Sequence, residues 1–285
     1  MKRGIPWDAS FLHFLIGANM SVYIHGGLRI PIGVLNGQYR NMRPEMLGAQ
    51  LINELINRYD ISQVDGIFCG NAVGTGGNIG RLMGLMTNLP NSVPAITVDM
   101  QCASALMSIE MAYTHIASGV MDSAIAGGIE SSSLQPDRMY AAGDNREGLY
   151  KVAQFSPNDC SPLAMLEGAE RTIQKHNVLK EDLYPYIIGS HQRAIEALDN
   201  PYLQSYIMPI TIDGKACVDE CIRPKMNEKL LSRMKPLLGP NSITNAGNAC
   251  LTHDGAAFVY VSNEKGPFRI HSIMPWAGNP QFSPE

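Results

Sequence analysis

The stretch Val98-Asp99-Met100-Gln101-Cys102-Ala103-Ser104-Ala105 places a cysteine at the junction of two predicted elements. Residues 94–100 predict a strand, and residues 102–118 carry apolar side chains at helical spacing. The free N–H groups and the positive dipole end of a helix favour a thiolate at such a junction, and a thiolate is a nucleophile suited to acyl transfer. The alternative is that Cys102 is a buried apolar filler, as many cysteines are.

The predicted helix after Cys102 is apolar nearly all the way round. Between Cys102 and Gly119 the only formally charged residue is Glu110. A helix of this kind is buried on more than one side. Because one sheet covers only one side, we expect something else to cover the other. The apolar positions are Leu106, Ile109, Tyr113 and Ile116 in one stripe, with Ala105, Met107, Met111 and Ala112 further round.

Strands and helices alternate on both sides of this junction. Strands are predicted at 21–25, 64–69 and 123–129 as well as 94–100, and helices at 44–59 and 79–87. This alternation indicates βαβ units and a mainly parallel sheet.

From about residue 134 to 240 the chain is irregular, with helices predicted at 163–176 and 181–198. The alternation resumes at 241, with strands predicted at 258–262 and 269–274. We therefore infer an α/β core interrupted by an insertion.

Composition excludes several classes of protein. The chain has 285 residues, 45% hydrophobic and 17% charged, with a net charge of −4, which suits one large folded domain or two modest ones. No cluster of basic residues suggests a nucleic-acid partner. No apolar run reaches the ~18 residues of a membrane span.

The cysteines and histidines give no metal-site pattern. Six cysteines are scattered along a long chain, which favours free thiols and a cytoplasmic location over a disulfide framework. Cys217 and Cys221 lack the second pair that a zinc site needs. We therefore expect no bound metal.

Residues 1–19 are interpreted as an appendage. Their apolar stretch at 11–16 is short and contains His13, which disfavours a secretory signal. Met20 is then a plausible natural first residue.

Two further segments suggest binding chemistry. Residues 74–80 are rich in glycine, but Ile79 occupies the last place of a dinucleotide fingerprint, so we predict a connector beside a pocket. A nucleotide-binding hypothesis has no other support. Residues 244–257 are rich in small and turn-forming side chains, which predicts a structural loop. His253 and Asp254 are weak candidates for a base and its orienting carboxylate, because adjacent residues rarely face one another.

Five motifs, in order, resemble those of the thiolase family. The resemblance covers residues 21 to 274, and the nucleophile motif differs only in having Ala105 where the family usually has glycine. The motifs are Gly-Leu-Arg-Ile-Pro-Ile-Gly at 27–33, the segment 65–73 with Arg81, Gln-Cys-Ala-Ser-Ala-Leu at 101–106, Ala-Gly-Gly-Ile-Glu-Ser at 126–131, and Ala-Gly-Asn at 246–248 with Asp-Gly-Ala-Ala at 254–257.

The resemblance implies a thiolase-like α/β fold. Its mixed, mainly parallel sheet would have helices on both faces and would form one half of an αβαβα arrangement. The implied divisions are an appendage at 1–19, a core at 20–133 and 241–263, an inserted loop domain at 134–240, and the start of a second half at 264–285.

The resemblance also implies acyl-CoA acyltransferase chemistry, a Claisen condensation or its reverse, with an acyl-enzyme on Cys102. Coenzyme A enters as the substrate thioester and no cofactor is expected. The loop domain would cover CoA and build oligomer contacts. The implied CoA-binding residues are Met165, in Ala164-Met165-Leu166 where the family often has His-Met-Gly, and Ala246, Gly247 and Asn248.

Three motifs of the family's second half do not occur in these 285 residues: Asn-Glu-Ala-Phe, Gly-His-Pro and Cys-x-Gly. Cys102 would then have the helix end but no base. We therefore expect the second half to come from a separate polypeptide or to have been lost by truncation; a homo-oligomer is the other expected assembly. The alternative function is a non-catalytic thiolase-like protein that binds acyl-CoA or acts as a structural partner.

Overall fold

A computed structural model describes residues 20–74, 76–152, 154 and 161–275. The predicted appendage at 1–19 lies outside them. Within them, a seven-stranded sheet is built from β1 (Val22–Arg29), β2 (Gly33–Val34), β3 (Ile67–Gly70), β4 (Ala95–Val98), β5 (Ser123–Ser131), β10 (His253–Ser262) and β11 (Phe268–Ile270). Two short hairpins pair β6 (Arg138–Met139) with β7 (Leu149–Tyr150) and β8 (Thr211–Ile212) with β9 (Lys215–Ala216).

The helices fall into two groups along the chain. Three belong to the α/β core: α1 (Pro44–Arg58), α2 (Ile79–Gly84) and α3 (Ser104–Ala117). Four others lie between 134 and 240: α4 (Ala164–Lys175), α5 (Tyr184–Leu198), α6 (Pro201–Gln204) and α7 (Glu228–Ser232), with a 3₁₀ turn at Glu181–Leu183. None of the described helices is long and apolar enough to cross a membrane.

The sheet runs in the order β11-β1-β10-β5-β3-β4, with β2 also on β10. Hydrogen-bonded neighbours are parallel only among β5, β3 and β4. β1, β2 and β5 each pair antiparallel with β10, and β11 pairs antiparallel with β1. Five of the seven strands (β1, β2, β3, β4 and β5) therefore run in one direction, and β10 and β11 run in the other. The prediction of a mixed, mainly parallel sheet is confirmed in this sense of direction.

Each face of the sheet carries its own apolar core. The two faces alternate along β3: Ile67 and Cys69 pack against the α1 and α2 side, whereas Phe68 packs against the α3 side. The first core includes Leu51, Leu55, Met83, Ile125 and Phe258, and the second includes Val22, Ala112, Ile116, Ala124 and Ala126. Helices on both faces are therefore confirmed.

None of the described elements between 134 and 240 joins the seven-stranded sheet. This part has a small core of its own, made by Tyr184, Met226 and Leu231. The arrangement agrees with an insertion, while its limits at 134 and 240 stay a prediction. Within the predicted start of a second half, β11 pairs with β1 at the edge of the same sheet.

The strand prediction near the C-terminal end was wrong in one respect. Residues 253–257, predicted as part of a loop, form the first half of β10. Gly255, Ala256 and Ala257 have little strand propensity, but each pairs with a residue of β5. The continuous β5 ladder decides their conformation, because pairing context outweighs propensity in strands.

The approach of α3 to the sheet gives a testable prediction. A Cβ on Gly70 would lie 2.5 Å from the backbone of Ser104 and Ala105 in the first turn of α3. Because backbone cannot yield like a flexible side chain, Gly70→Ala should lower the free energy of unfolding in urea by about 1–3 kcal/mol. The matched control is Gly143→Ala, whose Cβ meets nothing within 4 Å and which should change stability by less than ~1 kcal/mol. Equal stability of the two variants would contradict the close approach.

Candidate active site

Cys102 lies in the turn between β4 and α3, and its side chain is exposed. The helix begins at Ser104, two residues later than predicted. Ser104 Oγ closes the turn, because it accepts from Met100 N at 2.8 Å and donates to Gln101 O at 2.6 Å. The predicted strand–cysteine–helix junction is therefore present, with a short turn inserted in it.

Gln101 adopts a left-handed backbone conformation immediately before the cysteine, with φ of 54°. This conformation costs a residue with a Cβ on the order of 1 kcal/mol. Gln101 N donates to Asp99 Oδ1 at 2.9 Å, and Ser104 holds the Gln101 carbonyl, so local hydrogen bonds hold the strained residue in place. Strain of this kind is typical of functional turns.

Glycines beneath α3 let its first turn approach the sheet closely. A Cβ on Gly128 would lie 2.9 Å from Gly70 O and 3.1 Å from the Ala105 side chain. One turn later, the fully buried Ser108 accepts at Oγ from Gly127 N at 2.8 Å. The helix that begins just after Cys102 is thereby fixed to β5.

A cavity of about 460 Å³ opens beside Cys102. Its floor is formed by the ends of β3 and β5 and by the start of β10, and its charged lining residues are Arg29 and Glu130. The remaining lining is mostly apolar or glycine: Ile32, Gly70, Ala72, Val73, Ala105, Gly128, Ile129, Gly255, Ala256 and Ala257, with Asn71, Gln101, Ser104 and Ser132.

Arg29 is held at the cavity by a carboxylate of the inserted region. Asp219 accepts from Arg29 Nη1 and Nη2 at 2.8 and 2.7 Å, and from Ile32 N at 2.7 Å. Burial opposes ionisation of Asp219, but these hydrogen bonds outweigh it and lower its pKa. The neighbouring Glu220 accepts from Val34 N, so the inserted region fixes the segment that carries the first motif, at 27–33.

Glu130 and Asn71 line the cavity, and the sequence analysis assigned neither of them a role. Glu130 is the next-to-last residue of β5 and accepts from Asn71 Nδ2 and from the backbone amides of Ala72 and Val73. Both residues lie in motifs of the resemblance, at the carboxyl ends of adjacent parallel strands. The sequence places each of them near the end of a predicted strand, whereas the adjacency of the two strands comes from the fold.

The predicted CoA-binding residues lie apart from this cavity. Met165 is on α4 with 57% of its surface exposed. Asn248 Oδ1 accepts from Asn245 N at 2.7 Å, and Ala246 O accepts from Arg223 Nη1 at 3.2 Å. Neither Met165 nor Ala246, Gly247 or Asn248 lines the cavity beside Cys102. Their role in binding CoA stays a prediction.

The other candidates have structural partners. Asp254 is buried and accepts from Ser133 N at 2.9 Å and from the Ser133 hydroxyl. Asn78, in the glycine-rich segment, caps α2 by accepting from Arg81 N. Cys69, Cys102, Cys217, Cys221 and Cys250 are free thiols, and Cys160 lies outside the described residues. Nowhere in the described part of the chain do three potential metal ligands cluster.

Glu170 of α4 holds the segment before the Ala-Gly-Asn motif. Its carboxylate accepts from Ser242 Oγ, Ile243 N, Thr244 N and Thr244 Oγ1 at 2.6–3.0 Å. Burial opposes its ionisation, but the hydrogen bonds from Thr244, Ile243 and Ser242 prevail and lower the pKa of Glu170 to about 2.

With this geometry in hand, the comparisons identify the family. The family model described as "Thiolase, N-terminal domain" matches residues 22–265. The chain belongs to the thiolase family. This thiolase chain is 32% identical over 243 residues to a Staphylococcus epidermidis protein named "Putative acetyl-CoA C-acetyltransferase VraB", covering 83% of this chain and 63% of the relative. A Staphylococcus aureus protein of the same name is 32% identical over 249 residues, covering 85% and 65%.

A solved structure shows the same fold. The crystal structure of the Bacillus anthracis acetyl-CoA acetyltransferase superposes with a TM-score of 0.78 at 24% identity, over 86% of this thiolase chain and 66% of that one. The chain thus spans a little under two thirds of the length of the first of these relatives.

The Glu170 hydrogen bonds predict a pH dependence of stability. Because its pKa falls from 4.5 in the unfolded chain to about 2 in the fold, its contribution is complete above pH 4.5 and disappears as the pH falls toward 2. Glu170→Gln should lower the free energy of unfolding at pH 7 by about 1–3 kcal/mol and flatten its dependence between those pH values. Urea unfolding at a series of pH values measures this. Glu196→Gln, on an exposed side chain of α5, is the control and should keep the slope of the unaltered chain.

Proposed function

We propose that this chain carries the acyl-accepting half-site of a thiolase-type acyl-CoA acyltransferase, with Cys102 as the nucleophile. The observation that carries the proposal is the exposed Cys102 thiol in a strained turn, at the start of a helix and at the edge of a 460 Å³ cavity. The names of the staphylococcal relatives agree with an acyl-CoA substrate. No resident cofactor enters the proposal.

In the proposed first step, the Cys102 thiolate attacks the thioester carbonyl carbon of an acyl-CoA. The new carbon–sulfur bond forms as the bond to the CoA sulfur breaks, and CoA leaves as a thiolate that takes up a proton. The backbone N–H of Cys102 and the positive end of α3 favour the negative charge that develops on the carbonyl oxygen. In the condensing direction, a second acyl-CoA loses its α-proton to a base, its α-carbon attacks the acyl carbonyl carbon, and the bond to the Cys102 sulfur breaks as the carbon–carbon bond forms. In the reverse direction, Cys102 attacks the 3-keto carbonyl of a 3-ketoacyl-CoA, the carbon–carbon bond breaks, and the released carbanion takes up a proton. Attack by the CoA thiolate then removes the acyl group and frees Cys102.

We further propose that full turnover needs a second portion of polypeptide over the outer side of α3. The residues of α3 that the sheet buries are small or at one end of the helix: Ser104, Ser108, Ala112 and Ile116. Leu106 is 59% exposed, and Met107, Ile109, Met111 and Tyr113 are only partly buried. Ile109, Met111 and Tyr113 pack in part against the second core, so the exposed Leu106 with the half-buried Met107 beside it is what favours a partner surface. No histidine is among the described residues that line the cavity beside Cys102. The second portion of polypeptide would supply a base for Cys102.

The acyl-enzyme step predicts a covalent adduct. Incubation with acetyl-CoA should add one acetyl group to the intact chain, and peptide mapping should place it on Cys102. Cys102→Ser should show no such adduct at matched times, since a hydroxyl without a base is far less nucleophilic than a thiolate. An adduct of equal amount on the serine variant, or none on the unaltered chain, would rule out the assigned nucleophile.

The proposed partner surface predicts a selective effect of charge. Leu106→Glu should weaken association with a polypeptide that carries the Gly-His-Pro and Cys-x-Gly motifs by at least ~10-fold, because the charge would be buried at the interface. Gln50→Glu, at an exposed position of α1 on the opposite face of the sheet, should change association less than ~3-fold. Isothermal titration of the two purified variants compares them. If both charges weaken binding equally, or neither does, the Leu106 surface is not the contact.

A further inference from the structure

We propose that Glu130 is a positioning residue that fixes the wall formed by residues 71–73 against the cavity of Cys102. Its hydrogen-bond partners are Asn71, Ala72 and Val73, so it acts on Cys102 through that wall. The inference rests on the proposed function, because Glu130 would affect how an acyl group is placed at Cys102.

The carboxylate of Glu130 gathers three N–H donors from three successive residues. Oε1 accepts from Asn71 Nδ2 at 2.9 Å, while Oε2 accepts from Ala72 N at 2.8 Å and Val73 N at 2.9 Å. An ionised carboxylate only accepts hydrogen bonds, whereas the amide of a glutamine would turn a donor toward one of these donors. A glutamine would therefore lose at least one of these three hydrogen bonds, and its neutral oxygen would hold the others more weakly.

The opposite edge of the same segment is also held by a charged side chain. Arg138 Nη2 donates to Val73 O at 3.1 Å and to Gly74 O at 2.9 Å. The backbone N–H groups of this segment thus face Glu130, and its carbonyl groups face Arg138. Backbone in an irregular segment has no ladder partners, and these two side chains supply them.

The wall is connected to the nucleophile's turn by backbone. Asn71 N donates to Val98 O at 3.0 Å, at the end of β4 and four residues before Cys102. Asn71, Ala72, Val73 and Cys102 all line the 460 Å³ cavity. A shift of the wall would therefore change the space in which an acyl group approaches the sulfur.

The chain contains a second carboxylate with the same kinds of donor, at the amino end of β3, whereas Cys102 follows the carboxyl end of the neighbouring β4. Asp65 lies before β3 and accepts from Gln63 Nε2 at 2.7 Å, Asp122 N at 2.9 Å and Ser123 N at 3.0 Å. Like Glu130, it takes one side-chain amide and two successive backbone amides. Asp65 does not line the cavity, so Asp65→Asn controls for loss of a carboxylate that merely supports the fold.

The experiment compares Glu130→Gln and Asp65→Asn with the unaltered 285-residue chain. Acetylation of Cys102 by acetyl-CoA, followed by intact mass over a range of concentrations, gives a limiting rate and a half-saturating concentration. Glu130→Gln should lower the limiting rate about tenfold and change half-saturation less than about twofold, since a misplaced reacting group affects the chemical step more than binding. Asp65→Asn should leave both near their original values.

Two further measurements keep the outcomes distinct. Amide exchange at Ala72 and Val73 should be faster in Glu130→Gln alone. Alkylation of Cys102 by iodoacetamide, a small reagent that needs no placement, should proceed within about twofold of the unaltered rate in all three proteins. An unchanged limiting rate in Glu130→Gln, or an equal loss in Asp65→Asn, would overturn the positioning role alone. Failure of the unaltered chain to be acetylated would overturn the proposed function and this role with it.

Discussion

The contact on which the site depends is the close approach of the first turn of α3 to β3 and β5. Gly70 provides space for the helix backbone, because a Cβ there would lie 2.5 Å from Ser104 and Ala105, and Gly128 provides space for the Ala105 side chain at 3.1 Å. Ser108 then fixes the distance through its hydrogen bond with Gly127. Because Cys102 directly precedes this turn, the depth of the helix on the sheet sets the height of the sulfur above the cavity floor.

The same approach explains the unusual distribution of side chains on α3. A helix this close to a glycine floor has room beneath it only for small residues, and the sheet buries Ser104, Ser108 and Ala112. The larger apolar residues must then lie on the flanks and the outer side. The sequence predicted a helix buried on two sides, but spacing could not say which side met the sheet. The side that meets the sheet is set by the short distance between α3 and the strands, which a sequence period does not contain.

Buried and half-buried carboxylates recur wherever the chain leaves regular structure. Glu130, Glu170 and Asp219 accept backbone N–H groups from segments between strands, and Asp65 accepts those of Asp122 and Ser123 where β5 begins. Backbone N–H groups in such segments must find acceptors, and an ionised carboxylate satisfies two or three of them at once. In this fold these carboxylate–amide hydrogen bonds connect strand ends to loops. At Asp219 they connect the inserted region to the first motif.

These carboxylates also mark the limit of inference from the sequence. Strong periodicity predicted α1, α3 and most strands to within a few residues, and the strand–helix junction made Cys102 the candidate nucleophile. Glu130 and Asn71 lie 59 positions apart, and only the parallel pairing of β3 with β5 brings them together. A pairing register is a property of the assembled sheet, so local patterns could place each residue at a strand end but could not join them. The position of Cys102 at a strand–helix junction could thus be predicted from local sequence. The wall beside it could not, because it depends on which strands are neighbours in the sheet.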